Sequence, residues 1–370
     1  MSSAAQQPPF RADHVGSLLR PAELKAARER AKRGEIDAAE LRSVEDKCIR
    51  DAVAFQESLG LQSITDGEFR RDWWHIDFLR GFDGVTTVRG VTLGVHFPGA
   101  DEQPPLMRVT GKIRRSKPSM LDHFKFLKSV TRRTPKFCMP SPALLHARGD
   151  REALKSTYPD VEEFWSDLTQ AYREEIRDLH QAGCRYLQID DTTIAMMGDP
   201  KVQETFRKLG DDPKADTARY ADAVNTAIRD VPDEMTVCVH TCRGNVMSTW
   251  LASGSYDFVA ETVFTRLDVD GFFLEYDSAR AGGFEPLRYV PKGKKVVLGL
   301  VSSKFPELED KDDLRRRIEA AAKFVPIENL CLSPQCGFSS THHGNKMTAD
   351  DQRRKLALVL EVARDVWGSA

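Results

Sequence analysis

The feature that most constrains the fold is a regular alternation of short apolar segments with longer amphipathic ones. Several of the short segments are almost entirely apolar, as strands of a parallel sheet that is covered on both faces should be. Eight predicted strands follow one another along the chain: FRADHVGS (10–17), QSITDG (62–67), KFCMPS (136–141), YLQIDD (186–191), MTVCVHT (235–241), FFLEYD (272–277), KVVLGLVS (295–302) and NLCLSP (329–334).

Amphipathic segments separate these strands. Residues 37–60 and 160–183 carry apolar side chains at positions i, i+3, i+4 and i+7, and both segments end at glycine, which is typical of helices. Further helices are predicted over 213–230, 308–324 and 349–366. Thr348 is a suitable N-cap for the last of these, because acidic residues follow it in the first turn.

Eight strands that alternate with helices predict an α/β fold of the (β/α)₈ TIM-barrel class, which takes about 250 residues. The additional length lies in an N-terminal helical extension (21–35) and in an insertion after strand 2 (81–116). The insertion is interpreted as a hairpin around the turn PGADEQP. We expect residues 1–370 to form a single barrel domain. An open doubly wound sheet is the alternative, but no glycine-rich first βα loop supports it.

Composition excludes several classes of protein. The 370 residues include 54 Lys and Arg against 56 Asp and Glu, a net charge of −2 without a basic stripe, so no nucleic-acid partner is expected. Apolar runs are short and the mean hydropathy is −0.44, so no membrane span is predicted. The N-terminus has no apolar signal region. Seven cysteines without disulfide-like spacing indicate a reducing, cytoplasmic location.

Metal-type side chains lie at the ends of three predicted strands. His240 and Cys242 end strand 5, Glu275 ends strand 6, and Cys336 follows strand 8. In a closed barrel these strand ends neighbour one another with strand 7 between, and catalytic groups of such barrels lie at this face. Two thiolates, an imidazole and a carboxylate form a plausible tetrahedral Zn²⁺ shell. Asp277 and Glu261 compete with Glu275, although Glu261 is interpreted as a solvated charge.

Six short motifs at successive strand ends resemble the cobalamin-independent methionine synthase family, specifically its C-terminal zinc-binding barrel. They are HVGSLLRP (14–21), DGEF (66–69), LQIDD (187–191), VHTC (239–242), LEYD (274–277) and SPQCG (333–337). The resemblance implies that His240, Cys242, Glu275 and Cys336 bind Zn²⁺. It also implies that the substrate amino acid is held by four residues: Gly16, Ser17, Glu68 and Asp190.

The resemblance implies a methyl transfer to a small-molecule thiol, with homocysteine as the first expected acceptor. A zinc-bound thiol is deprotonated and becomes a nucleophile, while Glu68 and Asp190 would pair with the substrate ammonium group. Glu275 is the expected exchangeable ligand. Asp190 and Lys304 are the expected catalytic residues, since Lys304 in SSKFP lies where the family has a proton-donating histidine.

Two features leave the methyl donor open. The N-terminal barrel with which full-length synthases help to bind folate is expected to be absent, and the usual histidine is replaced by the SSKFP segment. A methylfolate and a methylcorrinoid on a partner protein are both considered.

Three other functions are weighed. An epoxyalkane:coenzyme M transferase-like enzyme would hold a sulfonate, which Glu68 and Asp190 disfavour. A zinc-free barrel of the uroporphyrinogen decarboxylase type is disfavoured by the complete ligand set. A purely structural zinc site is disfavoured because its ligands usually come in closely spaced pairs.

Overall fold

The computed structural model describes residues 7–89 and 104–370. Within these ranges the strands are β1 (Ser63–Ile64), β2 (Asp83–Val88), β3 (Leu106–Arg114), β4 (Thr134–Pro135), β5 (Phe137–Pro140), β6 (Tyr186–Asp191), β7 (Thr236–Thr241), β8 (Gly271–Glu275), β9 (Lys295–Val301) and β10 (Leu330–Pro334). The α-helices are α1 (Ala22–Lys32), α2 (Ala38–Leu59), α3 (Ile76–Leu79), α4 (Leu121–Val130), α5 (Ala143–Ala147), α6 (Arg151–Thr157), α7 (Val161–Gln181), α8 (Thr192–Met196), α9 (Pro200–Lys208), α10 (Pro213–Ile228), α11 (Asp257–Arg266), α12 (Lys311–Ala321) and α13 (Ala349–Trp367).

The central sheet is parallel, and its strand order follows the order of the chain. Six strands form one sheet in the order β5-β6-β7-β8-β9-β10. At one edge, β4 leads into β5 and pairs in parallel with β1. At the other edge, Ala12 forms a parallel bridge with Leu332 of β10. This is the strand order of the predicted barrel, with predicted strands 1 and 2 reduced to one bridge and a two-residue strand.

Side-chain hydrogen bonds connect the segment around Gly16 to the segment around β1. The Ser63 hydroxyl donates to Asp13 at 2.7 Å, and the Thr65 hydroxyl donates to the Gly16 carbonyl at 2.6 Å. The Leu18 amide donates to the Gly67 carbonyl at 3.1 Å. These bonds take the place of a ladder and bring the turn at Gly16 beside the loop that follows β1.

The predicted helices are present, and their ends follow the expected capping chemistry. Asp37 caps α2 in a reciprocal capping box, and α2 ends at Gly60 in the left-handed conformation. Thr348 caps α13 with a second reciprocal box, which confirms the predicted N-cap. Shorter helices such as α5, α8 and α9 were not predicted, since they are too short to show a clear apolar period.

The insertion after strand 2 contains the predicted hairpin. β2 and β3 pair antiparallel, with Val88 opposite Leu106. Most of the expected turn PGADEQP (98–104) lies outside the described residues. The hairpin is attached to the barrel helices through the Ile113 amide, which donates to the Tyr158 hydroxyl at 2.6 Å. Across the described ranges, no helix has the length and apolar character that crossing a membrane requires.

Candidate metal centre and substrate cavity

Three of the predicted metal ligands converge at the C-terminal ends of the strands. One ligand atom from each of His240, Cys242 and Cys336 lies within 4.8 Å of the others, and all three residues are buried. The two sulfur atoms are 3.7 Å apart. Two thiolates on a tetrahedral zinc ion, each with a Zn–S bond of about 2.3 Å, would be separated by about 3.8 Å. The sulfur separation therefore fits a shared zinc ion.

The imidazole of this cluster supports the same interpretation. Both ring nitrogens of His240 are buried, and neither makes a hydrogen bond of good geometry among the described residues, although the Cys336 sulfur lies close enough to act on the ring. A buried polar atom without a partner costs free energy, so such atoms are normally paired or bound to a ligand. We define His240, Cys242 and Cys336 as the metal trio.

The electrostatics of the trio favour one ionised sulfur. Contact with Cys242 and with His240 lowers the pKa of the Cys336 thiol well below its usual range, although burial opposes this. Burial lowers the pKa of His240, but Cys336 and the nearby carboxylates raise it overall. Cys242 shows the complementary change, because its contact with Cys336 raises its pKa. A soft anionic donor is thus available for a cation.

Glu275 lies outside the trio and is surrounded by cations. Its Oε1 atom is 2.6 Å from Arg280 Nη2 and 3.2 Å from Lys304 Nζ, and its Oε2 atom accepts from the Arg243 amide at 2.5 Å. Burial opposes ionisation, but Lys304, Arg280 and Arg243 together lower the pKa of Glu275 to about 2. Its carboxylate charge also acts on His240. Its role as the fourth ligand stays a prediction.

Lys304 is held in the same buried ion-pair cluster. Its Nζ atom contacts Glu275 and lies 3.6 Å from Asp277 Oδ2. Burial lowers the pKa of Lys304, yet these carboxylates raise it overall above its ordinary value. The lysine is not among the residues that line the cavity beside the trio. Its predicted role as a proton donor stays a prediction.

Glu261, the alternative to Glu275 as the fourth metal ligand, is exposed on α11.

A cavity opens beside the metal trio. Besides the trio, it is lined by side chains and backbone from the loops that follow successive strands: Val15, Ser17, Glu68, Trp74, Arg148, Asp190, Thr192, Gly244, Asn245, Val246, Gly337 and Ser340. Three of the four predicted substrate-binding residues, Ser17, Glu68 and Asp190, are in this lining. The structure therefore places them at one cavity with the trio.

Glu68 and Asp190 form an acidic pair within this cavity. Their carboxylate oxygens and the Cys138 sulfur lie within 4.8 Å of one another. Burial raises the pKa of Glu68 to about 7, with a smaller contribution from Asp190 and with Arg71 opposing. Burial also raises the pKa of Asp190 to about 6. The Glu68 Oε2 atom is buried without a partner among the described residues. Such a pair is suited to binding a cationic group.

Gly16 and Ser17 form a turn beside the acidic pair, and Ser17 lines the cavity. Gly16 has a φ of +138°, and a Cβ atom there would lie 2.7 Å from the Cys138 sulfur. The Ser17 hydroxyl accepts from the Ser339 amide at 3.3 Å. A Cβ atom on Gly337 would lie 1.9 Å from that hydroxyl. The glycines therefore let the turn approach both the acidic pair and the loop that carries Cys336.

A set of amide contacts connects the loops that carry the trio, and sequence reasoning missed it. The Asn345 side chain donates to Asn245 at 2.9 Å and to the Ser303 carbonyl at 2.7 Å. Asn245 in turn donates to the Gly337 carbonyl at 2.7 Å. We call the two side chains, Asn245 and Asn345, the amide clamp. Asn245 lies three residues after Cys242, and that proximity to a ligand was the available signal.

Comparison with known proteins gives a consistent result. A family model described as "Cobalamin-independent synthase, Catalytic domain" matches residues 10–364. The uncharacterized protein YxjH of Bacillus subtilis is 46% identical over 361 residues, which cover 97% of this chain and 95% of that protein. A 5-methyltetrahydropteroyltriglutamate–homocysteine methyltransferase of Rhodococcus jostii is 25% identical over 347 residues, and the match covers 91% of this chain but 41% of that protein.

Solved structures show the same fold. A Listeria monocytogenes protein described as a candidate vitamin-B12-independent methionine synthase superposes with a TM-score of 0.78 at 40% identity, covering 98% of this chain and all of that chain. A B12-independent methionine synthase from Shewanella, solved with selenomethionine, gives a TM-score of 0.73 at 19% identity and covers 96% of this chain and 97% of that one. At that identity the second likeness bears on the fold alone.

Proposed function

Since this chain belongs to the cobalamin-independent synthase family, matched over its catalytic domain, we propose that it is a zinc-dependent methyltransferase that methylates the thiol of homocysteine. The observation that carries this proposal is the cavity in which the metal trio and the acidic pair meet. Such a cavity offers one place for a sulfur and another for an ammonium group, and the two groups belong to one small molecule.

Zinc is the ion that suits the trio, because two thiolates and one imidazole form a soft, borderline donor set. When bound, the ion would supply Lewis acidity that keeps a substrate thiol deprotonated at neutral pH. His240, Cys242 and Cys336 would hold it, and Glu275 is proposed as the fourth, exchangeable ligand. The three cations around Glu275 keep that carboxylate ionised without a metal.

The acidic pair would fix the acceptor. An ammonium group between Glu68 and Asp190 would relieve the repulsion between the two carboxylates and give the unpartnered Glu68 oxygen a donor. Asp190 lies directly opposite His240 in the register of β6 and β7. Binding the ammonium there holds the rest of the molecule against the trio, which is the proximity contribution to catalysis. The turn at Gly16 and Ser17, beside the acidic pair, would contact the same acceptor.

The methyl donor is proposed from the environment of Lys304. A tetrahydrofolate leaving group needs a proton, and the only lysine at the predicted place is tied to Glu275 and Asp277 with a raised pKa. A methylcorrinoid needs no such acid. We therefore propose that this chain takes methyl from a pre-activated carrier, such as a methylcorrinoid on a partner protein, in preference to methylfolate.

We also propose a cytoplasmic location, which the seven free thiols fit.

One experiment tests both halves of the proposal. Zinc-loaded protein is given homocysteine with either methylcobalamin or methyltetrahydrofolate, including its polyglutamates, and methionine is measured by mass spectrometry. Methionine from methylcobalamin at the higher rate supports the proposal. Faster methionine formation from methyltetrahydrofolate would overturn the donor assignment and keep the acceptor. The same donors are also tested with a panel of other acceptor thiols that includes 2-mercaptoethanesulfonate. If no donor methylates any of these thiols or homocysteine, the proposed function is overturned.

A further inference from the structure

Arg148 is a cation of the cavity lining that the proposed chemistry does not use. It follows α5, the helix after β5, and therefore lies at the same end of the sheet as the metal trio. Its side chain is half-buried. The guanidinium donates to the Thr192 hydroxyl at 2.5 Å and to the Met196 sulfur at 3.4 Å. Both partners are neutral, so these bonds fix the orientation of the group without neutralising its charge.

Other buried arginines around the cavity have an ion-pair partner or donate several hydrogen bonds to backbone carbonyls. Arg71 lies 3.7 Å from Glu68 and donates to the Cys138 carbonyl. Arg243 contacts Glu275, and Arg20 donates to four backbone carbonyls of the neighbouring loops. For Arg148, by contrast, no carboxylate among the described residues lies within ion-pair distance. A partly desolvated guanidinium without a counter-charge is costly, and its occurrence in a cavity indicates a ligand that supplies the charge.

The groups around Arg148 leave its charge uncompensated. Cys242 and Asp191 are the acidic groups close enough to act on the guanidinium, and burial outweighs them and lowers the pKa of Arg148 to about 10, so it stays protonated at neutral pH. Burial and the Arg148 charge hold the pKa of His75 well below its usual range, so that imidazole is neutral. The Nδ1 atom of His75 is buried without a partner among the described residues. Trp74, which also lines the cavity, contacts His75 in a tilted arrangement with ring centroids 4.8 Å apart.

We propose that Arg148 is an anion-binding, specificity-determining residue of this cavity, and that it takes a carboxylate or phosphate oxygen of a bound substrate. The planar guanidinium matches such an oxyanion in a two-pronged geometry that a lysine cannot reproduce. Two substrates could bring the anion: the acceptor, through its α-carboxylate, or the methyl donor. The inference rests on the proposed function only in assuming that the cavity holds one of these molecules.

Binding measurements separate the two sources without relying on turnover. Zinc-loaded wild type, Arg148→Gln and Arg148→Lys are titrated calorimetrically with homocysteine and with cysteamine, which has the thiol and ammonium but no carboxylate. The same proteins are titrated with two methyl donors: methylcobalamin, which carries a phosphate, and methyltetrahydrofolate, whose glutamate supplies carboxylates. Arg207→Gln is the control, because Arg207 is exposed on α9. Thermal unfolding checks that each variant is folded, and Arg148→Lys retains the charge if Arg148→Gln does not fold.

The expected result is a selective loss. If the acceptor brings the anion, Arg148→Gln weakens homocysteine by about ten-fold or more, leaves cysteamine within about two-fold, and Arg148→Lys recovers part of the loss. If the donor brings it, both thiols bind as in wild type, and the affinity for methylcobalamin or for the folate falls by the same factor. Either pattern supports the subsite. Unchanged affinity for all four compounds in Arg148→Gln overturns it, and methyl transfer by the wild type would then leave the proposed function standing. A selective loss of affinity in Arg148→Gln, together with no methyl transfer by the wild type, would support the subsite and overturn the proposed function.

Discussion

At the scale of single residues, the acidic pair determines how the acceptor is recognised. Glu68 and Asp190 are both buried, and their pKa values of about 7 and about 6 lie close to physiological pH. An ammonium ligand binds the ionised forms. Affinity is therefore present above these pKa values and is lost as the pH falls through 7 and then 6, since each carboxylate becomes protonated.

This gives a prediction for Glu68→Gln. Methionine serves as the probe, because it carries the ammonium group but has no thiol that titrates. At about pH 8 the variant should bind methionine about ten-fold more weakly, because a charged hydrogen bond contributes about 1.5–3 kcal/mol. At about pH 5.5 the two proteins should differ much less, since Glu68 is then already neutral. Calorimetric titration across this range measures the effect, with exposed Glu261→Gln as control. Equal affinities at the higher pH would refute the role of Glu68.

Glu275 carries a second residue-scale prediction. It is the shared counter-charge of three buried cations, and removing one partner of a buried ion pair typically costs about 3–5 kcal/mol. Glu275→Gln should therefore lower the free energy of unfolding by about that amount, measured by urea denaturation of metal-free protein. Asp268→Asn is the control, because its carboxylate pairs with Lys294 at the surface and such pairs contribute less than about 1 kcal/mol. A loss as small as the control's would contradict the structural role of Glu275.

The contrast between Glu275 and the trio shows what the sequence can predict at this scale. His240, Cys242 and Cys336 are brought together as expected, because strand ends of a parallel sheet meet at one face. The cations around Glu275 come from loops after three different strands. Loop conformation brings them there, and no periodicity in the sequence reports it. Arg148 was missed for the same reason.

At the scale of elements, the amide clamp connects the loops after β7, β9 and β10. Asn345 accepts from the Ser248 amide at 2.9 Å and donates to Asn245 and to the Ser303 carbonyl. Since the loops after β7 and β10 carry Cys242 and Cys336, we expect the clamp to fix the distance between the two sulfurs. Met247 and Ser248 both have positive φ values, at 49° and 67°. Both residues lie beside the clamp, which holds this unfavourable backbone in place.

We predict that Asn345→Ala releases zinc faster than wild type while the fold is retained. Groups that orient metal ligands typically change metal affinity by about 10–100-fold when they are removed. The rate of zinc transfer to a chromogenic chelator measures the effect. Thr348→Ala is the matched control three residues away: it removes the N-cap of α13 and should cost about 1 kcal/mol of stability with an unchanged release rate. Equal release rates in all three proteins would show that the clamp does not position the ligands.

The helices and strands differ in how well the sequence predicts them. The long helices α2, α7 and α13 were predicted because their apolar period and their caps agree. The first two strands were predicted longer than they are. In that region side-chain hydrogen bonds of Asp13, Ser63 and Thr65 join the two segments. These bonds replace the backbone hydrogen bonds that would otherwise pair the segments as longer strands.

At the scale of the whole molecule, the parallel order of the strands explains why the site exists. Residues far apart in the chain, such as Ser17, Asp190 and Cys336, meet in one cavity. Asp190 ends β6, Cys336 follows β10, and Ser17 follows the segment that bridges to β10 at Ala12. The interior of the sheet also holds a buried ion pair, in which Lys136 Nζ is 3.2 Å from Asp13 and 4.1 Å from the Phe273 ring. The alternation of strands and helices predicted the architecture, but this polar interior was not predicted, because its side chains read as ordinary strand residues.

The central claim is that the metal trio binds zinc, and the most direct measurement is the zinc content of purified protein. Wild type, Cys242→Ser, Cys336→Ser and Cys238→Ser are compared by elemental analysis. Cys238 is the matched control, since it is buried in β7 with Cys242 just beyond the strand end but lies outside the trio. We predict about one zinc ion per chain in wild type and in Cys238→Ser, and little in the two ligand variants, with all four proteins folded by circular dichroism. Equal zinc content in all four proteins, or none in the wild type, would contradict the account.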